Sequence, residues 1–63
     1  MTITIKIKTD NAAFVGGGGA GTETARIIRG LAEELDGRDL LPGEGQKLRD
    51  LNGNTVGSFS VKP

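Results

Sequence analysis

Residues 2–8, Thr-Ile-Thr-Ile-Lys-Ile-Lys, alternate strictly between apolar and polar side chains, and this stretch decides the fold class. Ile3, Ile5 and Ile7 fall on one face, and the threonines and lysines fall on the other. β-Branched residues at a period of two are typical of a strand with one buried face and one solvated face. We therefore predict a strand over residues 2–8, in a sheet that is covered on one side.

The segment after the glycine-rich stretch has the period of a helix. Its apolar residues recur at spacings of three and four: Ile27, Ile28, Leu31, Ala32 and Leu35. Thr22 is a suitable N-cap because its hydroxyl can accept from free amides of the first turn, and Gly37 is a natural residue to end the helix. We predict a helix over residues 23–36, preceded by a flexible glycine-rich loop over residues 16–21.

A hairpin is predicted near the carboxyl end, because Asn-Gly at residues 52–53 lies between two strand-like segments. A two-residue turn there pairs Leu48 with Gly57. A type I turn that begins at Asp50 instead pairs Leu48 with Val56. We prefer the type I turn because it sets two apolar residues opposite each other.

The order of elements is β-α-β-β, with the hairpin over residues 47–61. We predict an α+β fold in which one helix packs on one face of a three-stranded antiparallel sheet of order 1-3-2. The alternative places the first strand parallel to the second through a right-handed crossover. A single core then contains Ile3, Ile5 and Ile7. A bulge at Gly57 is needed to bring Val56 to the face of Phe59 and Val61.

Composition limits what the chain can do. Sixty-three residues form one small domain, near the lower limit of what folds alone. The absence of Cys and His excludes disulfides, thiol chemistry and Cys/His metal sites. Eight cationic and eight acidic residues give no net field toward nucleic acid or membrane. No pair of carboxylates has the spacing of an acid–base pair, so we expect no enzyme, no cofactor and no metal.

The glycine-rich stretch has two interpretations. Backbone amides before a helix can hold a phosphate or nucleotide, which makes Gly18, Gly19, Gly21 and Thr22 candidates for an anion contact. A phosphate loop, however, has Lys before its Ser or Thr, and here Gly21 precedes Thr22 directly. We prefer a flexible connector.

A basic face is predicted on the outer side of the sheet. Its cations, the candidate interaction face, are Lys6, Lys8, Lys47, Arg49 and Lys62. Such a face can track a nucleic-acid backbone or an acidic protein, and a solvated face is the simplest interpretation. The chain has no Trp or Tyr with which to stack bases, so nucleic acid is not favoured.

Two segments carry a family resemblance: Lys-Thr-Asp-Asn-Ala-Ala-Phe at residues 8–14 and Leu-Arg-Asp-Leu-Asn-Gly-Asn-Thr-Val-Gly at residues 48–57. The chain resembles small uncharacterised proteins of bacteriophages and prophages. This resemblance implies a non-enzymatic phage accessory protein that binds a host protein in the cytoplasm of an infected bacterium. Inhibition of a host antiviral defence system is the implied role, and a homo-oligomer is left open. No membrane partner is expected, because no apolar run approaches the length of a span.

Overall fold

The computed structural model describes residues 1–15 and 18–63 and shows one helix against a three-stranded sheet. In chain order the elements are β1 (Thr2–Ile7), a 3-10 turn (Ala12–Phe14), α1 (Gly19–Leu35), β2 (Gly45–Arg49) and β3 (Thr55–Lys62). The strands lie in the order β1-β3-β2, and both pairs are antiparallel. The predicted α+β fold and strand order are confirmed, and the parallel alternative is excluded.

The core lies between α1 and the inner face of the sheet. It consists of seven buried apolar residues: Phe14, Ile27, Leu31, Leu48, Val56, Phe59 and Val61. Phe59, in the middle of β3, is the most deeply buried of them. Because β3 is the central strand, its inner side chains are covered by α1 and flanked by a strand on each side.

β1 contributes less to this core than its sequence pattern predicts. Ile3 pairs with Val61 and Ile5 pairs with Phe59, so the isoleucines do share the inner face. Nevertheless, Ile3 and Ile5 are 45% and 42% exposed, and among the three only Ile7 packs against the core. The expectation that all three are buried is wrong, because the packing of α1 leaves the side chains of Ile3 and Ile5 partly uncovered.

The hairpin turn adopts the type I form that we preferred. Gly53 N donates to Asp50 O at 3.0 Å, and Asp50 N donates to Asn54 O at 2.9 Å. Gly53 has φ of +84°, a left-handed conformation that glycine adopts without steric cost. Asp50 therefore faces Asn54 across the end of the hairpin.

β3 contains a bulge one residue from the predicted position, with Val56 rather than Gly57 as the additional residue. Leu48 nevertheless pairs with Gly57, because Val56 is an additional residue on β3 at this point, so the predicted Leu48–Val56 pair is wrong. The extra residue puts Val56 on the same buried side as Phe59. A side chain at Gly57 would collide with the carbonyl oxygen of Lys6, so this close approach of β1 and β3 requires glycine.

α1 begins at Gly19, four residues before the predicted start. Gly18, with φ of 114°, is the N-cap, and the Thr22 hydroxyl donates to Gly18 O at 3.2 Å from inside the first turn. The predicted N-cap at Thr22 is therefore wrong, and so is the predicted loop over residues 16–21 where residues 19–21 are helical; Gly16 and Gly17 lie outside the described residues. Packing of Ala20 against the core explains the early start, because tertiary contacts outweigh the low helix propensity of glycine.

The other end of α1 is a type II turn. The last helical residue is Leu35, and Arg38 N donates to Leu35 O at 3.0 Å. Asp36 has φ −61° and ψ 123°, and Gly37 has φ of +81°. Gly37 therefore occupies the turn position that requires positive φ, as the sequence predicts for the residue after the helix.

Candidate binding surface

The outer face of the sheet brings two lysines to one level. Lys6 of β1 and Lys47 of β2 both pair with Ser58 of β3, so the three residues form a row across the sheet. Two interstrand spacings separate the lysine Cα atoms, or roughly 10 Å. The row therefore places one ammonium group on each side of the Ser58 hydroxyl.

Hydroxyl groups continue this surface along the strands. Thr4 pairs with Ser60 in the level beside the row, and Thr2 pairs with Lys62 at the far end of β3. At the hairpin end, Arg49 Nη1 lies 3.4 Å from Thr55 Oγ1. The outer face is consequently a surface of cations and hydroxyls.

The five predicted cations are all exposed, but they do not all lie close to one another. Lys6, Lys8 and Lys47 line a shallow groove of about 660 Å³ that Asp10 also lines. Arg49 leans toward the hairpin turn, where its Nη1 lies 3.4 Å from Gly53 O. The structure therefore gathers three of the five, and Arg49 and Lys62 lie toward opposite ends.

Charge is distributed unequally between the two sides of the sheet. Within residues 1–15 and 18–63, the ion pairs are Arg26–Glu23 at 2.7 Å and Arg38–Glu44 at 3.1 Å, both away from the outer face. None of the five cations of the outer face takes part in them. The strand residues that point outward include no carboxylate in the part of the chain that the structure describes. A chain with no net charge thus presents one basic side.

The candidate anion contact lies where α1 begins. Gly18 is the N-cap, and Gly19, Gly21 and Thr22 lie in the first turns of the helix. The Thr22 hydroxyl is already donated to Gly18 O, and the carboxylate of Glu23 follows it in the chain. The anion contact stays a prediction, since a helix N-terminus is common to every helix.

Sequence reasoning placed Asp50 in the hairpin turn but missed its burial and its bond to Asn11. Asp50 is 5% exposed, and its Oδ1 accepts from Asn52 N at 2.9 Å and from Asn54 N at 2.8 Å. Its Oδ2 accepts from Asn11 Nδ2 at 2.7 Å. The signal for the local part was present, because Asp at the first position of a type I turn commonly accepts from the amide two residues ahead. The bond from Asn11, 39 residues away, had no local signal.

Glu23 is the second buried carboxylate at this end of the molecule. It is 6% exposed and accepts two hydrogen bonds from Arg26, at 2.7 and 2.9 Å. Its Oε2 also accepts from Leu51 N at 2.7 Å. Glu23 therefore connects α1 to the hairpin turn, in the same region in which Asp50 connects that turn to the 3-10 segment.

Both carboxylates ionise more readily than usual. The hydrogen bond from Arg26 lowers the pKa of Glu23 below its ordinary value, helped by the Leu51 amide and opposed by burial. Burial opposes ionisation of Asp50, but hydrogen bonds from Asn54, Asn11 and Asn52 together outweigh it and lower its pKa. These groups are charged at neutral pH and serve as hydrogen-bond acceptors within the fold.

The two segments quoted for the expected resemblance, residues 8–14 and residues 48–57, meet at this network. Asn11 belongs to the first segment, and Asp50 belongs to the second. Asn11 Oδ1 accepts from Ala13 N at 3.1 Å, which leaves its Nδ2 free to reach Asp50. These residues hold the 3-10 turn against the hairpin, so their evident role in this structure is to maintain the fold.

No group of acidic side chains in the described part of the chain could hold a metal ion. Within the same residues, no helix has both the length and the apolar character needed to cross a membrane. Comparison of this chain with protein-family models, with curated proteins and with solved structures found no match.

Proposed function

We propose that this chain is a non-enzymatic binding module whose outer sheet face docks against an acidic surface of a partner protein. The observation that carries the proposal is the row Lys6–Ser58–Lys47, in which two cations outside the described ion pairs flank a hydroxyl, among outward-pointing strand residues that include no carboxylate in the described part of the chain. Electrostatic complementarity of this kind guides encounter and fixes the orientation of partners.

A protein is favoured over nucleic acid because the outer face has no ring on which a base could stack. The chain has two aromatic residues, Phe14 and Phe59, and both are buried in the core. Base stacking on aromatic side chains supplies much of the affinity for single strands. Hydroxyls between ammonium groups, by contrast, suit the carboxylates of an acidic protein surface.

The resemblance to small phage proteins supports a finer proposal. The partner is a bacterial host protein, encountered in the cytoplasm of the infected cell, and binding inhibits a component of antiviral defence. This finer proposal comes from likeness alone, and it adds the source of the partner to the chemistry of the face.

A matched pair of charge reversals tests the face. Lys47→Glu changes the row, whereas Arg29→Glu makes the same charge change at an exposed position of α1. Binding of a polyglutamate peptide is expected to weaken about tenfold in K47E, to stay within about twofold in R29E, and to weaken with salt in both. Equal binding by the two variants would contradict the proposal.

The same variants decide between the two classes of partner. A DNA duplex with the same number of charges as the peptide is titrated at the same salt concentration. Tighter binding of the duplex than of the peptide, lost in K47E, would favour nucleic acid instead. A host protein captured by the wild type and by R29E, but not by K47E, would support a protein partner.

A further inference from the structure

Among residues 1–15 and 18–63, β1 pairs with β3 alone, so the other edge of β1 can form further backbone hydrogen bonds. The amide of Lys8 donates to Val56 O at 2.8 Å, across the β1–β3 pair. Backbone groups alternate in direction along an antiparallel strand, so successive residues bond to opposite sides. The amides and carbonyls of Ile3, Ile5 and Ile7 therefore point away from β3, toward solvent.

Apolar side chains line the inner face beside this edge. Ile3 and Ile5 are nearly half exposed, Met1 is more so, and Ile28 of α1 is 43% exposed. Glu34, which accepts from Gln46 Nε2 at 2.7 Å, marks the flank of α1 that faces β2. Ile28 lies about 120° around the helix from Glu34, on the flank toward β1. Exposed apolar groups of strand and helix therefore lie on the same side of the molecule.

The opposite edge of the sheet is protected. β2 has five residues, two of which are the exposed cations Lys47 and Arg49. Short edge strands with charged side chains discourage pairing with another chain. The inner side of β2 is covered as well, because Leu48 is buried and Gln46 bonds to α1. Edge-to-edge association is therefore favoured at β1 and disfavoured at β2.

We propose that β1 pairs antiparallel with β1 of a second copy of this chain, about a two-fold axis at Thr4. The resulting sheet has six strands, with both helices on the same face. Ile3 then lies opposite Ile5 of the second copy, and Thr4 lies opposite Thr4. This proposal rests on the strand edge and is independent of the proposed function of the outer face.

The hydrogen-bonding groups and the charges support this register. Residues with outward-pointing groups must bond to each other, which pairs the isoleucines among themselves. On the outer face, Thr2 then lies opposite Lys6 of the second copy, so no lysine faces a lysine. An axis at Lys6 would set like charges directly opposite each other, which is destabilising. The axis at Thr4 also keeps the pairing within residues 1–7, which suits the structure because β1 ends at Ile7.

A second copy, rather than another partner, is favoured because the edge is complementary to itself. The two-fold axis brings Ile28 of each helix toward the exposed isoleucines of the paired strands. A chain of 63 residues has little core of its own, and this arrangement enlarges it. The arrangement is closed, since the outer edges of the dimer are the protected β2 strands.

Single-cysteine variants test the register directly, since the chain has no cysteine of its own. In a non-hydrogen-bonded pair the Cα atoms lie about 4.5 Å apart, within the range that a disulfide spans. Thr4→Cys is expected to cross-link in air at least about tenfold faster than Thr2→Cys. The two Thr4 positions lie opposite each other, whereas the two Thr2 positions lie several residues apart along the paired strands. A mixture of Thr2→Cys with Lys6→Cys is expected to cross-link as well. Equal rates for Thr4→Cys and Thr2→Cys would overturn the register.

Sedimentation equilibrium tests the dimer without relying on a cysteine. The mass of the unmodified protein is expected to rise from 6.5 kDa toward twice that value between about 10 μM and 1 mM, as for a small interface. Ile3→Lys is expected to remain at the monomer mass, whereas Leu51→Lys, with the same charge at the exposed hairpin tip, behaves as wild type. A wild type that stays at the monomer mass throughout, or equal loss in both variants, would overturn the proposal. Circular dichroism confirms that each variant is folded.

Discussion

The hairpin end of the molecule and the β1 edge reverse the usual distribution of polar and apolar groups. At the hairpin end, the carboxylates of Glu23 and Asp50 are buried and accept several hydrogen bonds each. At the β1 edge, Ile3 and Ile5 are largely exposed although their alternation is regular. Burial here depends on where α1 lies, and a buried charge is tolerated where fixed donors replace water.

The largest effect is expected from Asp50→Ala. The substitution removes the acceptor for the amides of Asn52 and Asn54 and for Asn11 Nδ2, so the turn and the 3-10 segment lose their connection. A domain of this size has a stability of about 3–5 kcal/mol, which leaves little margin for this loss. We therefore expect the Asp50→Ala variant to be unfolded already, with no cooperative thermal transition by circular dichroism. Asp39→Ala, at an exposed loop position, is the control and should melt as wild type. Similar melting curves for both variants would show that the buried Asp50 carboxylate does not stabilise the hairpin end.

Gly57→Ala probes how β1 is held. A Cβ at this position collides with the Lys6 carbonyl oxygen, and the strands must separate to admit it. We expect a loss of about 1–3 kcal/mol in the free energy of unfolding, measured by urea denaturation. Gly30→Ala is the matched control: its Cβ meets open space on α1, and a gain of about 0.5–1 kcal/mol is expected. If both substitutions changed the free energy of unfolding in the same direction, the close backbone pairing of β1 with β3 would not be what holds β1 in the sheet.

Acidification should affect the hairpin end through its carboxylates. The pKa values of Glu23 and Asp50 are lowered from ordinary values of 4.5 and 3.8, so the folded state takes up protons less readily than the unfolded state. Their stabilisation is complete above the ordinary values and is lost as the pH falls through the lowered ones. Tm is therefore expected to be flat from pH 7 to about 5 and to fall below about pH 4. Glu23→Gln should flatten this fall, and an unchanged slope would show that Glu23 does not contribute.

The smallest effect is expected from Ile3→Thr, measured at low concentration where the chain is monomeric. Ile3 is already partly hydrated, so the free energy of unfolding should change by less than about 1 kcal/mol. Val61→Thr is the matched variant, because Val61 is the register partner of Ile3 on the same face but is buried. Burying its hydroxyl should cost about 1–3 kcal/mol. Equal losses in the free energy of unfolding would mean that Ile3 is buried in solution.

Sequence patterns anticipated the parts of the fold that depend on local chemistry. The type I turn followed from Asp50 and Gly53, and the end of α1 followed from Gly37. The bulge was anticipated because Val56 and Phe59 could not otherwise share the buried face. The pairing of Leu48 was not, since the effect of a bulge on register depends on which residue the partner strand skips.

The candidate site was anticipated in composition but not in arrangement. Alternation placed Lys6 on the outer face, and Lys47 likewise. Their common level with Ser58 depends on two registers at once, which no local pattern specifies. The start of α1 was missed for a related reason, because packing of Ala20 outweighs the weak helix propensity of the neighbouring glycines.

The amino-acid sequence by itself determined the element types, the turn at Asp50 and the two-sided character of β1, since these depend on side chains close in the chain. Tertiary structure alone decided that Asn11 meets Asp50, that Glu23 is buried and that Ile3 is not. The reason is physical: periodicity tells which face of an element is apolar, whereas coverage of that face depends on where another element packs. The same reason makes the β1 edge, regular in sequence and uncovered in the fold, the place where a second copy is expected.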